Sequence, residues 1–284
     1  MESSMLINID FRAKDCAKYF CQSLQQHGIV LLQQTPIDFE LVTRLNLHWQ
    51  HYFSDPAKYH YLYHPKDQLG FYPLEISETA KDHCVKDIKE FFHYRPEAKI
   101  PASLQSMTQA YFEQARTLSS QLMTMLIDNA TQHLHHPLSA LSLTTPHKQH
   151  LLRIVHYPPL NDSAEFGAYP CAPHHDINLL TITPLTASNA LEYRINHAWH
   201  AIPYAANTML VIVGEMLTEI SQGLYPSLCH RVEQTGNSRT QKANLEIPFF
   251  YHAAPNQVLS PRATASEMLN ARLIDLGVLT KQID

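Results

Sequence analysis

The residues best placed to do chemistry in this chain are Pro173-His174-His175-Asp176, taken together with one distant residue, His230. In a β-strand, side chains two apart share a face. Residues 177–183 are rich in β-branched and apolar types and are closed by Pro184, so they read as strand. If that strand begins at the motif, His174 and Asp176 look one way and His175 looks the other. A second histidine from a neighbouring strand would complete a facial triad of two imidazoles and one carboxylate. Such a triad holds Fe(II) and leaves coordination positions open. Ser227-Leu228-Cys229-His230-Arg231-Val232 supplies that histidine. By strand parity His175 faces the opposite side and is not expected as a ligand.

Among nineteen histidines, one His-x-Asp triplet is weak alone. Its neighbours strengthen it. Leu152-Arg153-Ile154-Val155-His156-Tyr157-Pro158-Pro159 comes before it. Trp199, the apolar run 207–217, Gly223-Leu224-Tyr225-Pro226-Ser227 and Ile247-Pro248-Phe249-Phe250 come after. From residue 150 onward, short apolar segments alternate with polar turns, the pattern of an antiparallel barrel or jelly roll.

The elements that must position these residues are legible upstream. Residues 5–10 alternate as a short strand, residues 13–26 carry a helical apolar stripe that stops at His27-Gly28, and residues 29–32 read as strand. Residues 37–53 form a second helix that buries Phe39, Val42, Leu45, Trp49 and Phe53. The longest helical stretch, 104–134, places Met107, Tyr111, Leu118, Leu122 and Leu126 on a face meant for burial against a sheet. Residues 264–279 read as a closing helix. His133, His135 and His136 fit a solvated helix end.

Composition narrows the function. The chain has 284 residues, 45% hydrophobic and 17% charged, enough for a large core. Seven glycines with no Gly-rich phosphate loop argue against nucleotide binding. A net charge of −5 without a basic block argues against nucleic acid. There is no secretory signal pattern and no apolar run of membrane-spanning length. Five irregularly spaced cysteines fit reduced thiols, hence a cytoplasmic setting.

In order and spacing, the segments across residues 148–255 resemble the catalytic domain of the isopenicillin N synthase-like family of Fe(II)/2-oxoglutarate oxygenases. The segments before them resemble, more loosely, that family's N-terminal region. The resemblance implies an α+β protein, a double-stranded β-helix (jelly-roll) core flanked by helices. Its parts would be an N-terminal region (1–100), a long helix (101–147), the core (148–255) and a C-terminal helix (256–284), all in one integrated domain. It implies Fe(II) on His174, Asp176 and His230, and O2 used, with 2-oxoglutarate, to hydroxylate, desaturate or cyclise a small molecule. Tyr157 stands where the family places a tyrosine that contacts 2-oxoglutarate or a substrate carboxylate, while Arg153 and Arg231 read as structural.

One departure bears on the co-substrate. The family usually sets an Arg and a Ser, two apart, just before the strand matching Ile247-Pro248-Phe249-Phe250; here Asn244 and Glu246 occupy those positions. Glu246 would repel an acid if it faced inward. Arg239 or Lys242, from the preceding loop, could fold back to replace the guanidinium. Otherwise another base serves, or the enzyme is a 2-oxoglutarate-independent oxidase. A metal-binding relative without turnover and a zinc hydrolase are the remaining readings.

Overall fold

The computed structural model describes residues 6–76, 86–131, 137–142, 149–159, 169–186, 190–233 and 244–275. The strands of the two larger sheets are β1 (Asn8–Asp10), β2 (Ile29–Gln33), β3 (Gly70–Tyr72), β4 (Glu90–Tyr94), β5 (Leu151–Tyr157), β6 (Cys171–His174), β7 (Leu180–Pro184), β8 (Leu191–Ile195), β9 (Ala198–Ala201), β10 (Thr208–Val213), β11 (His230–Val232), β12 (Asn244–Glu246) and β13 (Phe249–Tyr251). The helices are α1 (Cys16–His27), α2 (Phe39–Ser54), α3 (Ala102–Thr131), α4 (Glu215–Ile220) and α5 (Ala265–Asp275). The expected closing helix is therefore seen to Asp275, and its remainder lies outside the described residues.

Among the described residues, a nine-stranded sheet runs in the order β1-β2-β10-β7-β13-β5-β4-β3, with β12 also paired to β5. A four-stranded sheet runs β6-β11-β8-β9. Alternation decides which way each residue of the large sheet faces. On β10, Met209, Val211 and Val213 pack with the helices, while Leu210 and Ile212 face the small sheet. β2 divides in the same way, with Val30 and Leu32 toward the helices and Ile29 and Leu31 away from them. β5 sends Leu152 and Ile154 into the helix-side core, and Arg153, Val155 and Tyr157 into a cavity between the sheets.

The helices are tied down by apolar burial and a few polar contacts. Trp49 on α2 is fully buried, and its indole N–H donates to Thr108 Oγ1 of α3 at 3.1 Å. Tyr111 of α3 donates to the Ile247 carbonyl at 3.2 Å, which fixes the helix against the strand pair that carries Glu246. At the N-terminus of α2, Asp38 accepts from the Glu40 and Leu41 amides, the expected capping device. α1 ends at Gly28, where a φ of 69° and the adjacent Pro226 carbonyl leave no room for a Cβ.

The motif does not form one continuous strand as expected from parity. β6 ends at His174 and β7 starts only at Leu180. The intervening chain turns because its carbonyls satisfy the free N–H groups at the start of α4. The Glu215 amide donates to the Asp176 carbonyl at 2.7 Å, and the Met216 amide to those of Ile177 and Asn178 at 3.2 and 3.1 Å. Gly214 makes this contact possible, since a Cβ there would overlap the Asn178 carbonyl oxygen. Gly214→Ala should therefore push the 176–178 loop away. We expect a loss of about 1–3 kcal/mol in denaturant unfolding, the usual cost of overpacking, together with weaker metal binding. Unchanged stability and metal affinity would show that the loop is not held by this contact.

Candidate active site

The register of the small sheet sets the site. His230 on β11 pairs directly with His174 on β6, and their ring centroids are 4.3 Å apart. Asp176, on the loop beyond β6, completes the group: its Oδ1 is 3.7 Å from His174 Nε2 and its Oδ2 is 3.8 Å from His230 Nε2. One ligand atom from each of the three lies within 4.8 Å of the others, a geometry that can hold a metal ion.

Each side chain is oriented from behind. His174 Nδ1 bonds the Ala172 carbonyl at 2.8 Å, and His230 Nδ1 bonds the Leu228 carbonyl at 3.1 Å. Donation from Nδ1 leaves each Nε2 lone pair directed at the shared centre, the tautomer a metal requires. Asp176 Oδ2 accepts from the Thr181 hydroxyl at 2.5 Å, and that hydroxyl accepts from Asn178 Nδ2 at 2.9 Å. Burial would raise the Asp176 carboxyl, but His230, His174 and the Thr181 hydrogen bond outweigh it and hold the group below its ordinary value. Burial, reinforced by His174, lowers the His230 imidazole below its ordinary value, toward the neutral form that can ligate. The donor set, two imidazoles and one carboxylate, fits Fe(II).

His175 behaves otherwise. It bonds Ser227 Oγ at 2.9 Å, and burial pushes its imidazole down to about 4. It borders the cavity but is not part of the three-residue group.

The triad opens on a cavity of about 390 Å³ between the sheets. Tyr157 lines one part of it, with its hydroxyl 3.5 Å from Glu246 Oε2. Glu246 does face inward. Its Oε1 is shielded from solvent and has no hydrogen-bond partner among the described residues. Burial pushes this carboxyl up to about 7, against the lowering pull of Tyr157 and Asn244. Asn244 pairs with Tyr157 across β12 and β5. Arg239 and Lys242 lie outside the described residues, as do His133, His135 and His136.

Arg153, read as structural, lines the cavity as well. Its guanidinium lies 4.5 Å from the Phe91 ring centroid, and its Nε donates to His93 Nε2 at 2.8 Å. Arg231 fits its structural reading, joined to Glu192 and Glu233 and lying over Trp199. Sequence reasoning missed Thr181, Thr183 and Lys89, all on the cavity wall. Two-residue parity from Thr181 would have found Thr183. A lysine one residue before the strand Glu90–Tyr94 was the signal for Lys89.

A two-histidine, one-carboxylate group open to an interior cavity is an arrangement that non-haem Fe(II) oxygenases use. The profile of the 2OG-Fe(II) oxygenase superfamily matches residues 148–253. A candidate oxygenase from Shewanella oneidensis, known by crystal structure, is 36% identical, with a TM-score of 0.82 over 96% of this chain and 100% of that one. Protein DMR6-LIKE OXYGENASE 1 of Arabidopsis thaliana is 25% identical over 265 residues, 91% of this chain and 70% of its own length. Isopenicillin N synthase of Streptantibioticus cattleyicolor is 28% identical over 99 residues, only 34% of this chain and 29% of that enzyme. A Neurospora crassa protein crystallised with alpha-KG and thymine shares the fold, with a TM-score of 0.79 at 16% identity over 96% of this chain and 98% of that one. The chain belongs to the 2OG-Fe(II) oxygenase superfamily and is an Fe(II)-dependent oxidoreductase. Among the described residues no helix is long and apolar enough to cross a membrane.

Behind the three converging side chains, Thr181 is the contact with the largest expected effect. Replacing it with Val removes the hydrogen bond that orients Asp176 while keeping the side-chain shape. Fe(II) affinity, measured anaerobically, should fall by about 10–100-fold, the usual cost of losing such a support. Unaltered affinity would mean that the α4 contacts alone position the carboxylate.

Proposed function

We propose that the chain oxidises a small molecule at Fe(II) held by His174, Asp176 and His230, with 2-oxoglutarate as co-substrate, on a jelly-roll core flanked by helices. The convergence of the three ligand atoms carries this reading. Iron held there supplies the redox chemistry with O2 that attacks an unactivated C–H bond.

The protein's own residues do the rest. The Ala172 and Leu228 carbonyls hold the imidazole tautomers. Thr181 holds the carboxylate. Tyr157 and Glu246 face the co-substrate, and Arg153 with Phe250 faces the organic substrate. Free thiols at Cys16, Cys21 and Cys229 support a cytoplasmic setting.

Metal analysis after anaerobic Fe(II) loading tests the ligand set. His174→Ala, Asp176→Ala and His230→Ala should each abolish stoichiometric binding, and His175→Ala should retain it. Full iron retention in His230→Ala would overturn the assignment.

The inward carboxyl of Glu246 favours one second reading, an Fe(II) oxidase that needs no 2-oxo acid. The two readings differ in their pH behaviour. With a pKa near 7, Glu246 is neutral below that pH and anionic above it, so it repels a dianion only at the higher pH. Tyr157, Lys89, Asp87 and His174 are the other titratable groups around it. If 2-oxoglutarate is used, its affinity should fall roughly tenfold from pH 6 to pH 8, and Glu246→Gln should flatten that dependence. Absence of binding at both pH values, in wild type and variant, would select the second reading.

A further inference from the structure

The family's carboxylate-binding arginine is absent from its usual strand position, and the sheet register shows where a cation stands instead. Asn244 on β12 is directly opposite Tyr157 on β5. On the other side of β5, Glu90 is opposite His156 and Phe91 opposite Val155. One residue earlier, Lys89 falls level with Tyr157, on the same face. Lys89, Tyr157 and Asn244 thus form one row across three neighbouring chain segments, with directly opposed Cβ atoms typically about 5 Å apart. Lys89 thus stands across Tyr157 from the Asn244 position.

The surroundings of Lys89 are those of a built site. The side chain is only 5% exposed yet lines the cavity. A buried ammonium is rare without a fixed partner, and Asp87 Oδ2 accepts from it at 2.8 Å. Asp87 is in turn held by the Ala172 amide at 3.0 Å, at the start of the strand that ends in His174. Lys89 Nζ is also 3.6 Å from Cys171 Sγ, which is 3.7 Å from His174 Nδ1. The ammonium is therefore anchored, through Cys171, close to His174. Two further polar atoms on this cavity wall, Thr183 Oγ1 and Glu246 Oε1, are buried and lack hydrogen-bond partners among the described residues. Buried polar atoms without protein partners point to a polar ligand.

We propose that Lys89 receives the distal carboxylate of 2-oxoglutarate, with the Thr183 hydroxyl as a further donor to it. This rests on the reading that the iron takes a 2-oxo acid. An ammonium has three donors, so Asp87 and an incoming carboxylate can share it.

The test uses the full chain, loaded anaerobically with Fe(II), and two probes with the same 2-oxo acid head: 2-oxoglutarate, and 2-oxobutyrate, which lacks the distal carboxylate. Binding is read from the visible charge-transfer band of the chelate and from calorimetry. Wild type should prefer 2-oxoglutarate by about tenfold or more, as expected for a charge-assisted contact. Lys89→Met should erase that preference and leave 2-oxobutyrate binding unchanged, while Lys89→Arg should keep it. Lys89→Gln serves if the Met variant does not fold. Glu246→Ser, made in the wild-type background, should tighten 2-oxoglutarate alone. A Lys89→Met protein that keeps the wild-type preference overturns the inference, as does a Glu246→Ser protein with no selective gain. Equal wild-type binding of the two acids overturns the inference alone. Failure of both acids to chelate the wild-type iron overturns the co-substrate reading with it.

Discussion

The site depends on one backbone arrangement: the carbonyls of residues 176–178 cap the start of α4. The β6–β11 register places two imidazoles side by side, but two imidazoles alone bind iron poorly and without facial geometry. The carboxylate has to come from a chain that has already left the strand. The Glu215 amide takes the Asp176 carbonyl at 2.7 Å, and the side chain is then left facing both Nε2 atoms. Gly214, pressed against Asn178, is the small residue this arrangement needs. The strand partner of His174 fixes the second histidine, and the helix start fixes the acid.

The large sheet explains why a reactive centre can sit inside the protein without loosening it. Its helix-side face is apolar and fully packed, from Leu152 and Ile154 on β5 to Met209 and Val211 on β10. Its other face carries a second apolar cluster, with Leu210 and Ile212 on β10 and Ile29 and Leu31 on β2, and beside it the polar residues that line the cavity. Stability and chemistry are thus assigned to opposite sides of the same strands. Along β5 the cavity face carries Arg153 near His93 and Phe91, and Tyr157 near Glu246. At about 3.3 Å per residue, these two side chains stand some 13 Å apart, far enough for substrate and co-substrate to occupy different parts of one cavity.

Much of this was legible in the sequence, for physical reasons. The helices α1, α2 and α3 announce themselves by apolar stripes, and His174, Asp176 and His230 by spacing and company. Parity grouped the three residues that the structure brings together, but it fails in detail. Parity put His174 and Asp176 on one strand, whereas a loop separates Asp176 from β6, because helix capping by tertiary contact leaves no periodic signal. Thr181 was hidden within an apolar strand, since its role lies in one hydroxyl. Lys89 was passed over because its value comes from cross-strand register with Tyr157, which no local pattern encodes. The inward turn of Glu246 was stated only as a condition, and the pairing of β12 with β5 decides it. Arg239, offered as a replacement for the family's arginine, lies outside the described residues.

Every part of the site converges on the first coordination sphere of the metal. Iron K-edge X-ray absorption on the anaerobic Fe(II)-loaded protein measures it directly. The structure predicts two imidazole ligands with oxygen donors completing the shell and no sulfur, even though the Cys171 thiol lies 3.7 Å from His174 Nδ1. A sulfur shell, or any number of imidazoles other than two, would contradict it.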